Sequence, residues 1–148
     1  VNIRGTLLMM QAAARIMRSH GSGHIVNISS IAGKGFRETT NIAYAASKGA
    51  IITMSRIAAA RLGEYGITVN SVCPGMTETD MMRGWMEATA KQRQKSLNET
   101  REELVRDVAL KRTNSVEDIA ATVLFLVSPA ARNITGQSIN VDGGVMWD

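Results

Sequence analysis

Three short segments of this chain are almost continuously apolar and rich in β-branched residues, which predicts strands near 24–29, 67–73 and 138–142. Helix-length segments lie between them, so the strands need crossover connections and are expected to run parallel. Because the strands are apolar at nearly every position, the pattern favours a sheet covered on both faces. The sequence therefore predicts an α/β fold built on a parallel sheet.

Apolar residues recur at helical spacing between the strands, which predicts helices over 2–19 and 43–63. Glycines at 63 and 66 bracket the end of the second helix. A later helix is expected to begin at Ser115, a helix-capping residue with Asp118 three positions on, and to stop at Pro129. Residues 31–42 contain glycines and polar side chains, and are expected to form a loop.

Composition narrows the function classes. The chain of 148 residues is about one domain, with 45% hydrophobic residues and a net charge of only +4. The basic residues are scattered, which argues against nucleic-acid binding, and no apolar run is long enough to span a membrane. Cys73, the single cysteine, excludes an internal disulfide and fits a reducing compartment, so we expect a cytoplasmic protein. The sequence also contains no cluster with metal-ligand spacing.

The segment Tyr-Ala-Ala-Ser-Lys carries the strongest chemical signal. It places Tyr44 and Lys48 one helical turn apart, on the same helix face. A cation one turn away favours the phenolate form of a tyrosine, which makes the phenol a usable acid or base near neutral pH. Ser30 closes the predicted first strand, so a phenol, an ammonium and a hydroxyl are available to one carbonyl oxygen. By itself the spacing is weak, because a surface lysine beside a half-buried tyrosine gives the same pattern.

Five ordered motifs resemble the short-chain dehydrogenase/reductase family in its second half. They are Val-Asn-Ile-Arg-Gly, Ile-Val-Asn-Ile-Ser-Ser, Tyr-Ala-Ala-Ser-Lys, Val-Asn-Ser-Val-Cys-Pro-Gly-Met-Thr-Glu-Thr and Ile-Thr-Gly-Gln-Ser-Ile-Asn-Val-Asp-Gly-Gly. The resemblance implies the C-terminal portion of a doubly wound, Rossmann-like domain. It also implies hydride transfer between a nicotinamide cofactor, NAD or NADP, and a small carbonyl or secondary alcohol. Some family members act as epimerases or dehydratases, which is an alternative reaction type, but the final motif favours the dehydrogenase branch.

The resemblance also assigns roles. Tyr44 would exchange the proton with the substrate oxygen, Lys48 would support the tyrosine and bind the nicotinamide ribose, and Ser30 would orient the substrate oxygen. Asn2 would hold a water that links Lys48 to solvent. The implied catalytic residues are Asn2, Ser30, Tyr44 and Lys48. The implied cofactor-binding residues are Tyr44, Lys48, Pro74, Gly75, Thr77 and Thr79.

Several of these residues have simpler interpretations. Asn2 is also suited to cap the start of its helix, and Ser29 and Ser30 are both suited to hydrogen-bond a strand end. Thr77 and Thr79 are suited to cap the following helix, an interpretation compatible with cofactor binding.

The chain departs from the family pattern at its start. The glycine-rich turn that would hold the pyrophosphate, and the residue that would select NAD or NADP, are not found. We therefore expect residues 1–148 to form a partial dinucleotide-binding and catalytic domain, with the N-terminal strands absent and one sheet edge unpaired. The alternative function is a non-catalytic fragment or split half, which retains assembly surfaces but does not bind the cofactor alone.

The most charged stretch, 78–104, predicts one or two helices set apart from the core. We expect residues 78–112 to form a mobile helical lid over a small-molecule substrate. Its length resembles that of the lids of diol, polyol, sugar and acetoin dehydrogenases. Eight basic against five acidic residues between Arg83 and Arg112 suit an anionic substrate, but a solvated charged face gives the same composition.

The first two predicted helices carry more apolar and small residues than one sheet face requires. In the family that this chain resembles, these helices pack against symmetry-related copies. The sequence therefore predicts a homo-oligomer, and the resemblance favours a tetramer.

Overall fold

The computed structural model describes residues 1–38 and 41–147. Its described strands are β1 (Gly23–Ile28), β2 (Ile67–Pro74) and β3 (Ser138–Val141). They form one parallel sheet in the order β1-β2-β3, with Gly23 opposite Ile67 and Ser71 opposite Ser138. The prediction of three parallel strands in one sheet is confirmed. β2 extends one residue further than expected, because Pro74 still lies in register with Val141 at the strand end.

The described residues also form five α-helices. They are α1 (Asn2–His20), α2 (Ile42–Leu62), α3 (Asp80–Arg93), α4 (Leu97–Leu104) and α5 (Val116–Leu126). Short 3₁₀ helices lie at Ile31–Lys34, Gly63–Tyr65 and Pro129–Ala131. The predicted helices over 2–19 and 43–63 are therefore confirmed to within one residue at each end, and the charged stretch forms two helices.

Side-chain caps explain where the helices begin. Ser115 and Asp118 form a reciprocal capping box at the start of α5, as the sequence predicts. Asn41 caps α2, because its Oδ1 accepts from the Tyr44 N–H at 2.9 Å. Each cap satisfies a backbone donor that has no partner within its helix.

β2 is buried on both faces, as a central parallel strand requires. Ile67 and Val69 lie in one cluster with Met10 of α1 and Ala59 of α2. Val72 points to the opposite face and is equally inaccessible. α5 packs against all three strands and therefore helps to cover the sheet.

The segment predicted as a loop over 31–42 begins instead with the 3₁₀ helix Ile31–Lys34. Ser30 caps this helix, since its Oγ accepts from the Ala32 N–H at 3.1 Å. Sequence reasoning missed it because a four-residue helix leaves no periodic pattern. The Ser30–Tyr44 separation is one residue longer than in many members of the family that the chain resembles, and the sequence predicts that residues 34–40 absorb it. Part of that segment lies outside the described residues.

The segment 78–112 leaves the core and returns to it at neighbouring positions. Thr77 and Asn114 form a parallel bridge, in which the Asn114 N–H donates to Met76 O and the Glu78 N–H donates to Asn114 O, both at 2.8 Å. α3 and α4 pack against each other beyond this bridge. The segment 78–112 is therefore closed at its base by this bridge, and its role as a mobile lid remains a prediction.

The 3₁₀ helix lies unusually close to α2, and this contact requires glycine. A Cβ at position 33 would lie 2.6 Å from the Lys48 carbonyl carbon and 2.7 Å from the Gly49 nitrogen. Both contacts are with backbone, which a rotamer change cannot relieve.

We therefore expect Gly33→Ala to lower the free energy of unfolding by about 1–3 kcal/mol, because the added methyl forces the two segments apart. Urea denaturation measures this change. Gly84→Ala is the matched control, since nothing lies within 4 Å of a Cβ there and the residue is inside α3. That control should stabilise the protein by about 0.5–1 kcal/mol. Equal effects of the two substitutions would contradict the proposed close packing.

Candidate active site

A cavity of about 800 Å³ opens at the carboxyl ends of β1 and β2. This edge is where open parallel sheets bind their ligands. Seven of the site residues named from the sequence line it: Ser30, Tyr44, Lys48, Pro74, Gly75, Thr77 and Thr79. The eighth, Asn2, lies outside the cavity lining.

Tyr44 is presented to the cavity by the first turn of α2. Tyr44 is 41% exposed, so the residue is accessible to a ligand. The Asn41 cap was not identified from the sequence, although an asparagine three residues before the tyrosine is a usual capping signal.

Lys48 lies one turn further along α2, with its Nζ 5.8 Å from the centroid of the Tyr44 ring. The ammonium donates to the Ile28 carbonyl oxygen at 3.0 Å, which directs the side chain to the end of β1. Partial burial lowers the pKa of Lys48 from its ordinary value of 10.5, and the nearby Cys73 thiol opposes this by a smaller amount. The cation is therefore held beside the phenol in a partly desolvated position.

The two adjacent serines have different roles. Ser29 is buried and its Oγ donates to the Lys48 carbonyl oxygen at 2.8 Å, so its hydroxyl hydrogen is used within the fold. Ser30 is half-buried, and its Oγ accepts from the Ala32 N–H. That bond leaves the Ser30 hydroxyl hydrogen available to a molecule in the cavity. The interpretation that the serine only forms a hydrogen bond at the strand end therefore fits Ser29 better than Ser30.

Asn2 contacts the active-site helix rather than the cavity. Its Nδ2 donates to Ser47 Oγ at 3.0 Å, and Ser47 Oγ donates to the Tyr44 carbonyl oxygen at 2.8 Å. The capping interpretation of Asn2 is wrong, because Val1 occupies the cap position and no side-chain cap is formed. Ser47 was missed in the sequence although it stands inside the Tyr-Ala-Ala-Ser-Lys motif, because its partner is distant in the chain.

The segment after β2 crosses the floor of the cavity. Gly75 must be glycine because an added Cβ would lie 2.7 Å from the Asp142 Cβ and 2.9 Å from its Cα. Thr79 caps α3, accepting from the Met82 N–H at 3.2 Å, as the simpler interpretation predicted. Thr77 Oγ1 instead donates to the Gly75 carbonyl oxygen at 3.2 Å, so it does not cap a helix.

The lid helices and α5 contribute only apolar side chains to the cavity: Met81, Met82, Trp85, Leu104, Val116 and Ile119. The basic residues of the lid line no part of it, and several pair with acidic neighbours, as Arg112 Nη1 does with Asp118 at 2.8 Å. This arrangement favours a solvated charged face over an anion-binding lid.

Every helix among the described residues is too short or too polar to span a bilayer. Residues 1–38 and 41–147 also bring together no group of three or more His, Cys, Asp or Glu residues suited to a metal ion.

Known proteins resemble the chain across its length. A family model described as enoyl-(acyl carrier protein) reductase matches residues 1–146. The short-chain reductase protein NovJ of Streptomyces niveus is 39% identical over 144 residues, which is 97% of this chain and 53% of NovJ. Human (3R)-3-hydroxyacyl-CoA dehydrogenase is 42% identical over 147 residues, 98% of this chain and 51% of the relative.

A solved structure shows the same fold. Sorbitol-6-phosphate 2-dehydrogenase SrlD from Erwinia amylovora superposes with a TM-score of 0.90 at 32% identity, covering 100% of this chain and 58% of SrlD. The chain thus spans about half the length of the curated relatives that it matches. With its fold, its ordered motifs and the family model in agreement, the chain belongs to the short-chain dehydrogenase/reductase family.

Proposed function

We propose that this protein transfers hydride between a nicotinamide cofactor, NAD or NADP, and a small carbonyl compound or secondary alcohol. One observation carries the proposal: Ser30, Tyr44 and Lys48 line a single cavity at the carboxyl edge of the parallel sheet. The family assignment supports the same chemistry, since its members are generally NAD(P)-dependent oxidoreductases.

The residues present suit the nicotinamide end of such a cofactor. Lys48 offers ammonium donors for ribose hydroxyls, and the Thr77 and Thr79 hydroxyls lie on the segment that follows β2. The backbone at Pro74 and Gly75 forms the cavity wall against which a flat ring can pack. The bound cofactor would supply or accept the hydride, and this chain's residues would place the substrate and move its proton.

Tyr44 is the proposed general acid and base. Its accessible phenol would donate a proton to the substrate oxygen in reduction and remove one in oxidation. Ser30 would donate its hydroxyl hydrogen to the same oxygen and so fix its position. Lys48, whose Nζ lies 5.8 Å from the centroid of the Tyr44 ring, is the proposed partner of the phenol.

Asn2 has a positioning role in this scheme. Its hydrogen bond to Ser47 ties α1 to the turn of α2 that carries Tyr44 and Lys48. Asn2 bonds to Ser47, the residue directly preceding Lys48, so the proposed water relay would begin next to the lysine. The contact therefore supports a structural link and is compatible with the relay.

The protein is also proposed to assemble as a homo-oligomer, with a tetramer as the expected state. α1 and α2 form an apolar groove of about 360 Å³, lined by residues that include Leu7, Met54 and Ile57. Ile57 is 53% exposed, and exposed apolar side chains that cluster in this way are typical of an interface.

Tyr44→Phe should lower kcat for carbonyl reduction by about 10²–10⁴-fold in the whole protein, because it removes the exchangeable proton and keeps the ring. The rate of NAD(P)H oxidation measures turnover, and cofactor fluorescence measures NADH and NADPH binding, which should persist. Tyr65→Phe is the matched control, since the Tyr65 hydroxyl accepts from Arg18 away from the cavity at 3.0 Å. Full activity of Tyr44→Phe would contradict the proposal, and so would a parent protein that turned over no carbonyl compound, as a non-catalytic chain would.

The Lys48 ammonium should lose its proton at a lower pH than an ordinary lysine, because burial penalises its charged form. An NMR titration of lysines labelled at Cε should show one midpoint below 10.5 that disappears in Lys48→Arg. A Lys48 midpoint at or above 10.5 would show that desolvation does not dominate.

Light scattering of the whole protein at micromolar concentration should give the mass of a tetramer. Ile57→Glu should produce a smaller species, because it places a charge in the apolar groove. Leu97→Glu is the control, since Leu97 is similarly exposed but lies on α4, outside the groove. A monomeric parent protein would remove the assembly proposal.

A further inference from the structure

The cavity has two chemically different walls. Loops and α2 supply the polar wall, which includes Ser30, Tyr44 and Lys48. The helices α3, α4 and α5 contribute only the six apolar side chains named above. A molecule bound with its oxygen at Tyr44 would therefore share the cavity with this apolar surface.

Trp85, Leu104 and Glu38 separate this apolar space from a second cavity of about 360 Å³, since they line both cavities. These three residues are called the septum. The second cavity contains the charged residues Arg93, Glu103, Arg106 and Asp107. An apolar chain would gain contact as far as the septum and lose it beyond, where charged groups would have to be desolvated.

The charge distribution argues against two other classes of substrate. A polyhydroxylated substrate would place hydroxyls against six side chains that cannot hydrogen-bond them well, which is unfavourable when water is displaced. An anion would meet the acidic Glu38 at the septum, while Lys48, which also lines the cavity, is the residue proposed to bind the nicotinamide ribose.

We propose that the substrate is a neutral ketone, or its secondary alcohol, with a medium-length apolar chain, and that Trp85 is the residue that selects for this chain. The inference rests on the proposed reaction and adds the substrate class. Trp85 is suited to this task, because it is the only aromatic side chain among the six apolar residues and is 49% exposed in the structure. Its exposed side is available for contact with a ligand chain.

The test is a series of 2-alkanones from 2-butanone to 2-decanone, assayed with the whole protein and NAD(P)H. kcat/KM should rise up to about fourfold per methylene and then stop rising when the chain reaches the septum. Among four-carbon ketones, 2-butanone should be preferred to the trihydroxylated erythrulose and to the anionic acetoacetate. Isothermal titration calorimetry of the same compounds, without cofactor, provides a readout that does not depend on turnover.

Trp85→Ala should lower the 2-octanone to 2-butanone ratio of kcat/KM about tenfold, because the growing chain loses its wall. Trp85→Phe should retain most of the ratio. Trp147→Ala is the matched control, since Trp147 is the chain's other tryptophan and lies outside both cavities. Thermal melts of the variants verify that the half-exposed site leaves folding intact.

The outcomes separate the two proposals. Affinity that rises with chain length, without any turnover, would support the apolar site and overturn the proposed reaction. Turnover that is independent of chain length, or that favours erythrulose or acetoacetate, would support the reaction and overturn the substrate class. An unchanged chain-length ratio in Trp85→Ala would overturn the role of Trp85.

Discussion

The close contact between the end of β1 and the first half of α2 is the constraint on which the site depends. Ser29 Oγ donates to the Lys48 carbonyl oxygen, and Lys48 Nζ donates to the Ile28 carbonyl oxygen. Gly33 lets the intervening 3₁₀ helix lie directly on the backbone of Lys48 and Gly49. Strand and helix are thus joined by reciprocal polar bonds and by a contact that excludes a side chain.

This junction explains why the reactive groups meet. Ser30 follows the bonded Ser29, so its position is set by the strand end. Tyr44 precedes Lys48 by one helical turn, so it follows the helix that the junction fixes. The Asn2–Ser47 bond adds a second attachment for the same turn from α1. These side chains are therefore held by rigid elements, which is the pre-organisation that the proposed chemistry would need.

The lid has a different construction. Its two ends are pinned together by the Thr77–Asn114 bridge, and its charges pair mainly among themselves. Four of its apolar residues, Met81, Met82, Trp85 and Leu104, line the cavity. This part of the cavity lining is therefore built separately from the junction between β1 and α2.

The order and type of the helices and strands follow from the sequence alone, because apolar periodicity, β-branched runs and caps such as Ser115 are local signals. The same local spacing placed Tyr44 and Lys48 on one helix face. Other features could not be predicted, because they depend on residues distant in the chain. The partnership of Asn2 with Ser47 joins positions 45 residues apart. Ser29 and Ser30 differ because the Ser29 hydroxyl donates to the Lys48 carbonyl oxygen. The composition of residues 78–112 likewise suggested a charged surface. The helices α3 and α4 instead place apolar side chains along the cavity. Sequence thus determined the elements and the reactive pair, and tertiary packing decided which neighbours those groups meet.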